Sequence, residues 1–266
     1  MKMQKKINGL YVTAKGKPEN QSIVFVHGFP YDHTMWNFQI EELSKKYYCV
    51  SYDVRGLGKS YVGDGQYTME AFVWDLFSVI EGMKLEKPVL CGLSMGGYIS
   101  LRAVEVDQNR FKALILCDTR SQADDNEGKL KRALAINQIN TEGLAAFAEP
   151  FVTNCFWNQT VKKKAGLFNE VLRNSLKHNP VGVKGGLIAM LSRTDTTKAL
   201  KKFKLPTLVL VGKHDALTPP EVMQKMAKKI KKSDFFVVPK AGHMAPLENP
   251  DFVNTKIIKF LEKLEG

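Results

Sequence analysis

The chain has 266 residues, 44% of them hydrophobic and 25% charged. These proportions exclude disordered and fibrous classes and supply apolar surface for one large domain. With 39 Lys and Arg against 27 Asp and Glu, the formal charge is +12. Such an excess admits nucleic acid, an anionic surface or lysine-rich solubilisation, and the motifs must decide among them.

The basic first ten residues contain no apolar core and are not read as a signal peptide. Segments 7–14 and 22–26 read as strands close enough to form a hairpin, so the first sheet edge is expected to be antiparallel. Trp36, Ile40 and Leu43 have helical spacing within 35–46, and 47–52 reads as a strand ending before Asp53. Thr68 is a candidate N-cap for a helix through Ile80. A strand at 88–93 is followed at once by a helix over 95–106, then by a strand at 111–117. Beyond the interruption at 120–201 come a strand at 207–211, a helix at 220–229, a strand at 234–238 and a final helix at 250–264.

Continuous apolar strands alternating with helices predict an α/β chain with a mostly parallel sheet covered on both faces. The interruption has helical period: Leu130, Leu134 and Ile136, then Leu144, Phe147 and Phe151, then 161–176 and 186–191. A structureless loop of that length is implausible, so 120–201 is read as an inserted helical lid. Residues 1–119 and 202–266 then form the catalytic body. No uncharged apolar stretch reaches the roughly 20 residues of a membrane span. Cys49, Cys91, Cys117 and Cys155 are widely spaced, which suits free thiols in a reducing compartment and points to the cytoplasm.

Gly92-Leu93-Ser94-Met95-Gly96 stands between a strand and a helix. G-x-S-x-G in that context marks a sharp turn that exposes a nucleophilic serine, with glycines where side chains would collide. A serine hydroxyl needs a base, and the base needs an orienting acid. His243 follows the strand at 234–238, and Asp215 follows the one at 207–211. Asp118 also ends a strand and is a rival acid; Asp215 is preferred because its loop precedes the last strand and His243. An oxyanion hole needs backbone N–H donors. Met95 N–H supplies one, and Phe29 N–H, in His27-Gly28-Phe29-Pro30, is the candidate for the second. His27 is expected to brace that loop, and His178, within the lid, to be solvated.

At these residues the chain resembles the α/β-hydrolase superfamily, in particular 3-oxoadipate enol-lactonase-like hydrolases and small carboxylesterases. The similarity is carried by HGFP at 27–30, YDVRGLGKS at 52–60, GLSMGGY at 92–98, LVLVGKHDALTPP at 208–220 and AGHMAPLENP at 241–250. The resemblance implies the α/β-hydrolase fold and cleavage of small carboxylic esters or lactones by Ser94, His243 and Asp215, without cofactor or metal. Serine at 94 sets the chain apart from dehalogenases and epoxide hydrolases, which use aspartate, and HGFP sets it apart from proline iminopeptidases. Cleavage of carbon–carbon bonds in dienone acids, a receptor role on the same scaffold, and perhydrolase side activity stay open.

Trp157, Met190 and Met244 are candidates for an apolar substrate pocket, with lid core as the other reading of lid residues. Arg120 and Arg193 are candidates for holding a substrate carboxylate. Gly58-Lys59-Ser60 is no P-loop, because position 53 is Asp where the pattern needs Gly. The lysines are dispersed and lack interleaved aromatics, so neither nucleic acid nor a membrane is expected as a partner. The oligomeric state is left open.

Overall fold

The computed structural model describes residues 2–265. Among them are eight strands: β1 (Lys2–Ile7), β2 (Leu10–Lys15), β3 (Ser22–Val26), β4 (Tyr48–Tyr52), β5 (Val89–Leu93), β6 (Ala113–Cys117), β7 (Thr207–Gly212) and β8 (Ser233–Val238). They form one sheet in the order β1-β2-β4-β3-β5-β6-β7-β8. Pairing is parallel from β4 through β8, and the strands from β3 to β7 are buried along their lengths. Burial on both faces is the reason these segments read as unbroken apolar runs.

The antiparallel edge is present, but it is built one element earlier than the sequence suggests. β1 pairs with β2 across Asn8-Gly9, where φ is 48° and 81°. Positive φ at both central residues is the signature of the two-residue turn that matches strand twist, and Asn-Gly is its preferred sequence. β2 then pairs antiparallel with β4, not with β3. The basic composition of the first ten residues masked a strand that lies at the solvated edge, where lysines are tolerated.

Alternate strand residues enter two cores. Val24, Val26, Leu90, Leu114, Leu116, Val209 and Val211 face one side, with helices α2 (Met69–Gly82), α3 (Met95–Asp107) and α9 (Pro220–Ala227). Ile23, Phe25, Cys91, Ile115, Leu208 and Leu210 face the other, with α1 (Asn37–Leu43) and α11 (Pro250–Glu265). Thr68 caps α2 as expected, its side chain accepting from Ala71 N.

Between β6 and β7 run α4 (Asn126–Glu142), α5 (Leu144–Cys155), α6 (Asn158–Lys163), α7 (Ala165–Ser175) and α8 (Pro180–Leu191). Helix α5 gives Phe147 and Ala148 to the first core and Val152 and Cys155 to the second, so it lies across the strand ends. The helical character of 120–201 is thus found, with three differences. Segment 161–176 is broken at Lys164, whose φ of −122° and ψ of 44° leave the helical region. Leu130 and Leu134 do not mark a buried face: they are 65% and 67% exposed, and α4 turns Ile139 inward instead. Helix α8 begins six residues before 186, at Pro180, with the Asn179 side chain capping Val181 N at 2.9 Å.

The glycines that hide α8 in the sequence have a packing cause. A Cβ on Gly182 would lie 1.9 Å from the carbonyl oxygen of Gly56, and one on Gly185 would lie 2.4 Å from the Tyr67 ring. The helix rests directly on the backbone of the 53–60 turn. Gly182→Ala is therefore expected to destabilise the protein by about 1–3 kcal/mol, since the steric conflict exceeds the roughly 1 kcal/mol gain in helix propensity. Gly166→Ala in α7 is expected to stabilise it by about 0.4–1 kcal/mol, because no atom lies within 4 Å of the added methyl. Denaturant unfolding of the two variants reads the opposite signs.

Candidate active site

The turn from β5 into α3 holds Ser94 at φ 52°, ψ −114°. Positive φ is costly for a side chain bearing Cβ and persists only where surroundings impose it. Here they do. Ser94 N donates to Cys117 O at 3.1 Å, and Thr119 Oγ1 donates to Ser94 O at 2.8 Å. A Cβ on Gly92 would lie 2.3 Å from Gly96 O, and one on Gly96 would lie 2.1 Å from Val26 O. Both glycines are therefore required by backbone crowding, and Ser94 is left half-buried between fully buried neighbours.

Asp215 sits in the turn after β7. Its Oδ1 accepts from Leu217 N and Thr218 N, each at 2.8 Å, while Oδ2 accepts from Thr218 Oγ1 and from His243 Nδ1 at 2.9 Å. Burial alone would raise this carboxyl. The facing His243 and the hydrogen bonds from His243 and Thr218 outweigh burial and hold it well below the ordinary carboxylate range. An ionised carboxylate only accepts, so Nδ1 of His243 carries the proton and Nε2 is its free nitrogen. Thr218 was not singled out from sequence. Its signal is Asp215-x-x-Thr218, an acidic side chain folding back on the turn that follows it.

Asp118, the rival acid, lies nearby. Ligating atoms of Asp118, Asp215 and His243 lie within 4.8 Å of one another. Its Oδ1 accepts from Gly212 N at 2.7 Å. Burial, then the charge of Asp215, push its carboxyl well above the ordinary range. The surroundings thus favour the neutral form at Asp118 and the anion at Asp215, and the favoured anion is the one bonded to His243. The three groups have a metal-like spacing, but His243 Nδ1 is already committed to Asp215.

Residues 27–30 run alongside Ser94. A Cβ on Gly28 would lie 2.7 Å from the Leu93 side chain and 3.4 Å from Ser94 Cβ. His27 braces the loop as expected: Nδ1 bonds Gly28 O and Nε2 accepts from Val54 N, both at 2.8 Å. Burial lowers its pKa, which suits a neutral ring in that role. The Phe29 ring packs against Phe147 and Phe151 of α5, at centroid distances of 6.1 and 5.8 Å.

Other expectations are corrected. His178 is buried rather than solvated, accepting from Gly58 N at 3.1 Å, and burial lowers its pKa. Arg193 is buried against Asp124 at 2.8 Å, Met190 O at 2.8 Å and the Tyr98 ring, so its guanidinium is already engaged. Arg120 donates to Leu217 O. Of the proposed pocket residues, Trp157 stacks on His214 at 4.6 Å and 6°, while Met190 and Met244 are buried in the first and second cores. Asp53 organises its turn, accepting from His33 Nδ1 at 2.6 Å and Lys59 N at 2.8 Å. Neighbouring Asp32, His33 and Asp53 also have metal-like spacing, but His33 Nδ1 is likewise spent on a carboxylate.

A family model described as alpha/beta hydrolase fold matches residues 21–250. The chain belongs to the α/β-hydrolase family. It is similar to 3-oxoadipate enol-lactonase 1 of Acinetobacter baylyi, with 28% identity covering 94% of this chain and 89% of that protein. Among solved structures, a thermophilic esterase from Thermogutta terrifontis superposes with a TM-score of 0.93 and 34% identity over 100% of both chains. An enol-lactonase from Burkholderia xenovorans shares the fold, with a TM-score of 0.90 and 24% identity over 98% of this chain and 100% of that one. The chain is accordingly an enzyme of the α/β-hydrolase type, and among its described residues no helix is long and apolar enough to cross a membrane.

The raised Asp118 carboxyl has a measurable consequence. A carboxyl whose pKa is higher in the folded than in the unfolded state loses stabilising power as pH rises from the unfolded value of about 3.9. Asp118→Asn keeps an acceptor for Gly212 N and removes the titration. Its stability relative to the unmodified chain is expected to rise with pH from about 4 upward, until the folded-state Asp118 carboxyl itself ionises. Unfolding curves with a pH-independent difference would contradict this.

Proposed function

We propose that the chain is a serine hydrolase that cleaves carboxylic ester or lactone bonds of small molecules through an acyl-enzyme. Ser94 attacks the carbonyl carbon. His243 Nε2 takes the hydroxyl proton and returns it to the leaving alcohol, or to the ring-opened alkoxide of a lactone. Asp215 holds the productive tautomer and offsets the positive charge that forms on the ring. Phe29 N–H and Met95 N–H receive the oxyanion. Water, deprotonated by His243, then attacks the acyl carbon and regenerates Ser94.

The observation that carries this reading is the 2.9 Å bond from His243 Nδ1 to an ionised Asp215, at the same sheet edge as a serine on a strained strand-to-helix turn. The relatives named as esterase and enol-lactonase support the bond type cleaved. In this reading 1–119 and 202–266 are the catalytic domain and 120–201 a lid. The substrate is a small molecule, with no nucleic acid or membrane as partner. The buried, unpaired cysteines fit a cytoplasmic setting.

Ser94→Ala is expected to abolish both p-nitrophenyl acetate hydrolysis and labelling by a fluorophosphonate; labelling that survives the substitution would overturn the assignment. Asp215→Asn should leave the fold intact and lower kcat by about four orders of magnitude, by favouring the wrong histidine tautomer. An equal loss in Asp118→Asn would transfer the acid role to Asp118.

A further inference from the structure

Glu248 ends the short helix α10 (Ala245–Glu248) and is buried, yet neither its charge nor its position is used by the reaction above. Its carboxylate accepts four hydrogen bonds from two separate parts of the chain. Oε1 accepts from Gly242 N at 2.7 Å and Met244 N at 3.2 Å. Oε2 accepts from Trp157 N at 2.9 Å and Thr160 Oγ1 at 2.6 Å. The first pair brackets His243, and the second comes from Trp157, at the N-cap of α6, and Thr160, in the first turn of that helix. His243 N itself donates to Cys155 O at 2.8 Å. Three consecutive N–H groups, 242 to 244, are therefore all taken up by Glu248 or by the inserted helices.

The chemistry explains why a charged residue stands there. Four donors converge on one side chain, and only a carboxylate offers about four acceptor sites on two oxygens with no donor of its own. Burial raises the Glu248 carboxyl above its ordinary value, while the hydrogen bonds from Thr160, Trp157, Gly242 and Met244 pull the other way. A glutamine would keep one oxygen and turn an NH2 group towards two donors. An alanine would strand all four, at about 1–3 kcal/mol for each buried donor left unsatisfied. The two segments are also in steric register: a Cβ on Gly242 would lie 2.6 Å from Trp157 N.

We propose that Glu248 is a positioning residue that fixes the His243 backbone to the α5–α6 junction at 155–160, so that alignment of the imidazole and seating of the lid depend on one carboxylate. The proposal rests on His243 being the base. It adds that the lid is not an independent cover: its displacement at 155–160 releases the segment that aims His243.

Amide hydrogen exchange and kinetics on Glu248→Ala, Glu248→Gln and Thr160→Val separate this role from bulk stability. In Glu248→Ala, exchange at Gly242, Met244 and Trp157 should accelerate together by at least about tenfold, with protection in β3, β5 and β7 retained. Turnover of p-nitrophenyl acetate per fluorophosphonate-reactive site should fall about 10- to 100-fold, with KM little changed, as expected for a misplaced base. Glu248→Gln should lose protection on one side only, either at Gly242 and Met244 or at Trp157, with a smaller loss of kcat. It carries the test if the alanine variant does not fold. Thr160→Val should speed exchange at Trp157 alone. Protection that persists in the Glu248 variants, or kcat per site unchanged once protection is lost, would overturn the proposal. If the unmodified chain neither turns over ester nor takes up the label, the serine hydrolase reading fails, and the exchange pattern still decides the coupling separately.

Discussion

Everything at the site follows from a sheet covered on both faces. The strands from β3 to β7 are buried along their lengths, so a polar side chain in their middles must be spent on a partner within the sheet, as Ser51 is on Thr13 Oγ1 at 2.9 Å. Polar chemistry is confined to the strand ends. There Ser94 follows β5, Asp118 follows β6, Asp215 follows β7 and His243 follows β8, while the 27–30 loop follows β3. Parallel pairing brings these ends to one edge, and α5 spans them by entering both cores. The strained backbone of Ser94 is held by the same arrangement, through Cys117 O on the neighbouring strand and the close passage of Val26 O past Gly96.

Electrostatics at that edge rest on unequal hydration substitutes. Asp118 and Asp215 are both buried and close together, and they differ in what surrounds them. Asp215 receives two backbone N–H groups, a hydroxyl and the imidazole; Asp118 receives one backbone N–H, from Gly212. The facing His243 and the larger hydrogen-bond supply together favour ionisation at Asp215, and like charges at this spacing oppose a second anion at Asp118. Glu248 extends the same logic to a third buried carboxyl, kept by four donors rather than by a countercharge.

Much of this was legible in the sequence because local rules and global fold agree. Apolar runs gave the positions of β3 to β8 to within a residue or two, while lysine-rich β1 went unread, and Gly92 and Gly96 announced the crowded turn around Ser94. Asp215 and His243 were readable from their place after strands. What stayed hidden required knowing which surfaces meet. Gly182 and Gly185 look like helix breakers until the backbone at Gly56 and the Tyr67 ring are seen beneath them. His178 looks solvated, and Arg193 looks available for a substrate carboxylate, until Gly58 N and Asp124 are found opposite. Leu130 and Leu134 mimic a buried stripe on a helix that turns another face inward. Glu248 reads as one surface carboxylate among many, because its four donors come from segments about 90 positions apart in part and only the fold unites them.

The four cysteines carry one further consequence. All are buried and unpaired, with Cys49, Cys91 and Cys117 on the sheet and Cys155 at the end of α5. Burial pushes the thiols of Cys49 and Cys155 up to about 12, so in the closed molecule they are shielded both sterically and chemically from electrophiles, which react with thiolate. Alkylation then requires opening. The chain therefore carries internal clocks at two locations: uptake of label at Cys155 times excursions of the inserted helices, and uptake at Cys49 times excursions of the sheet.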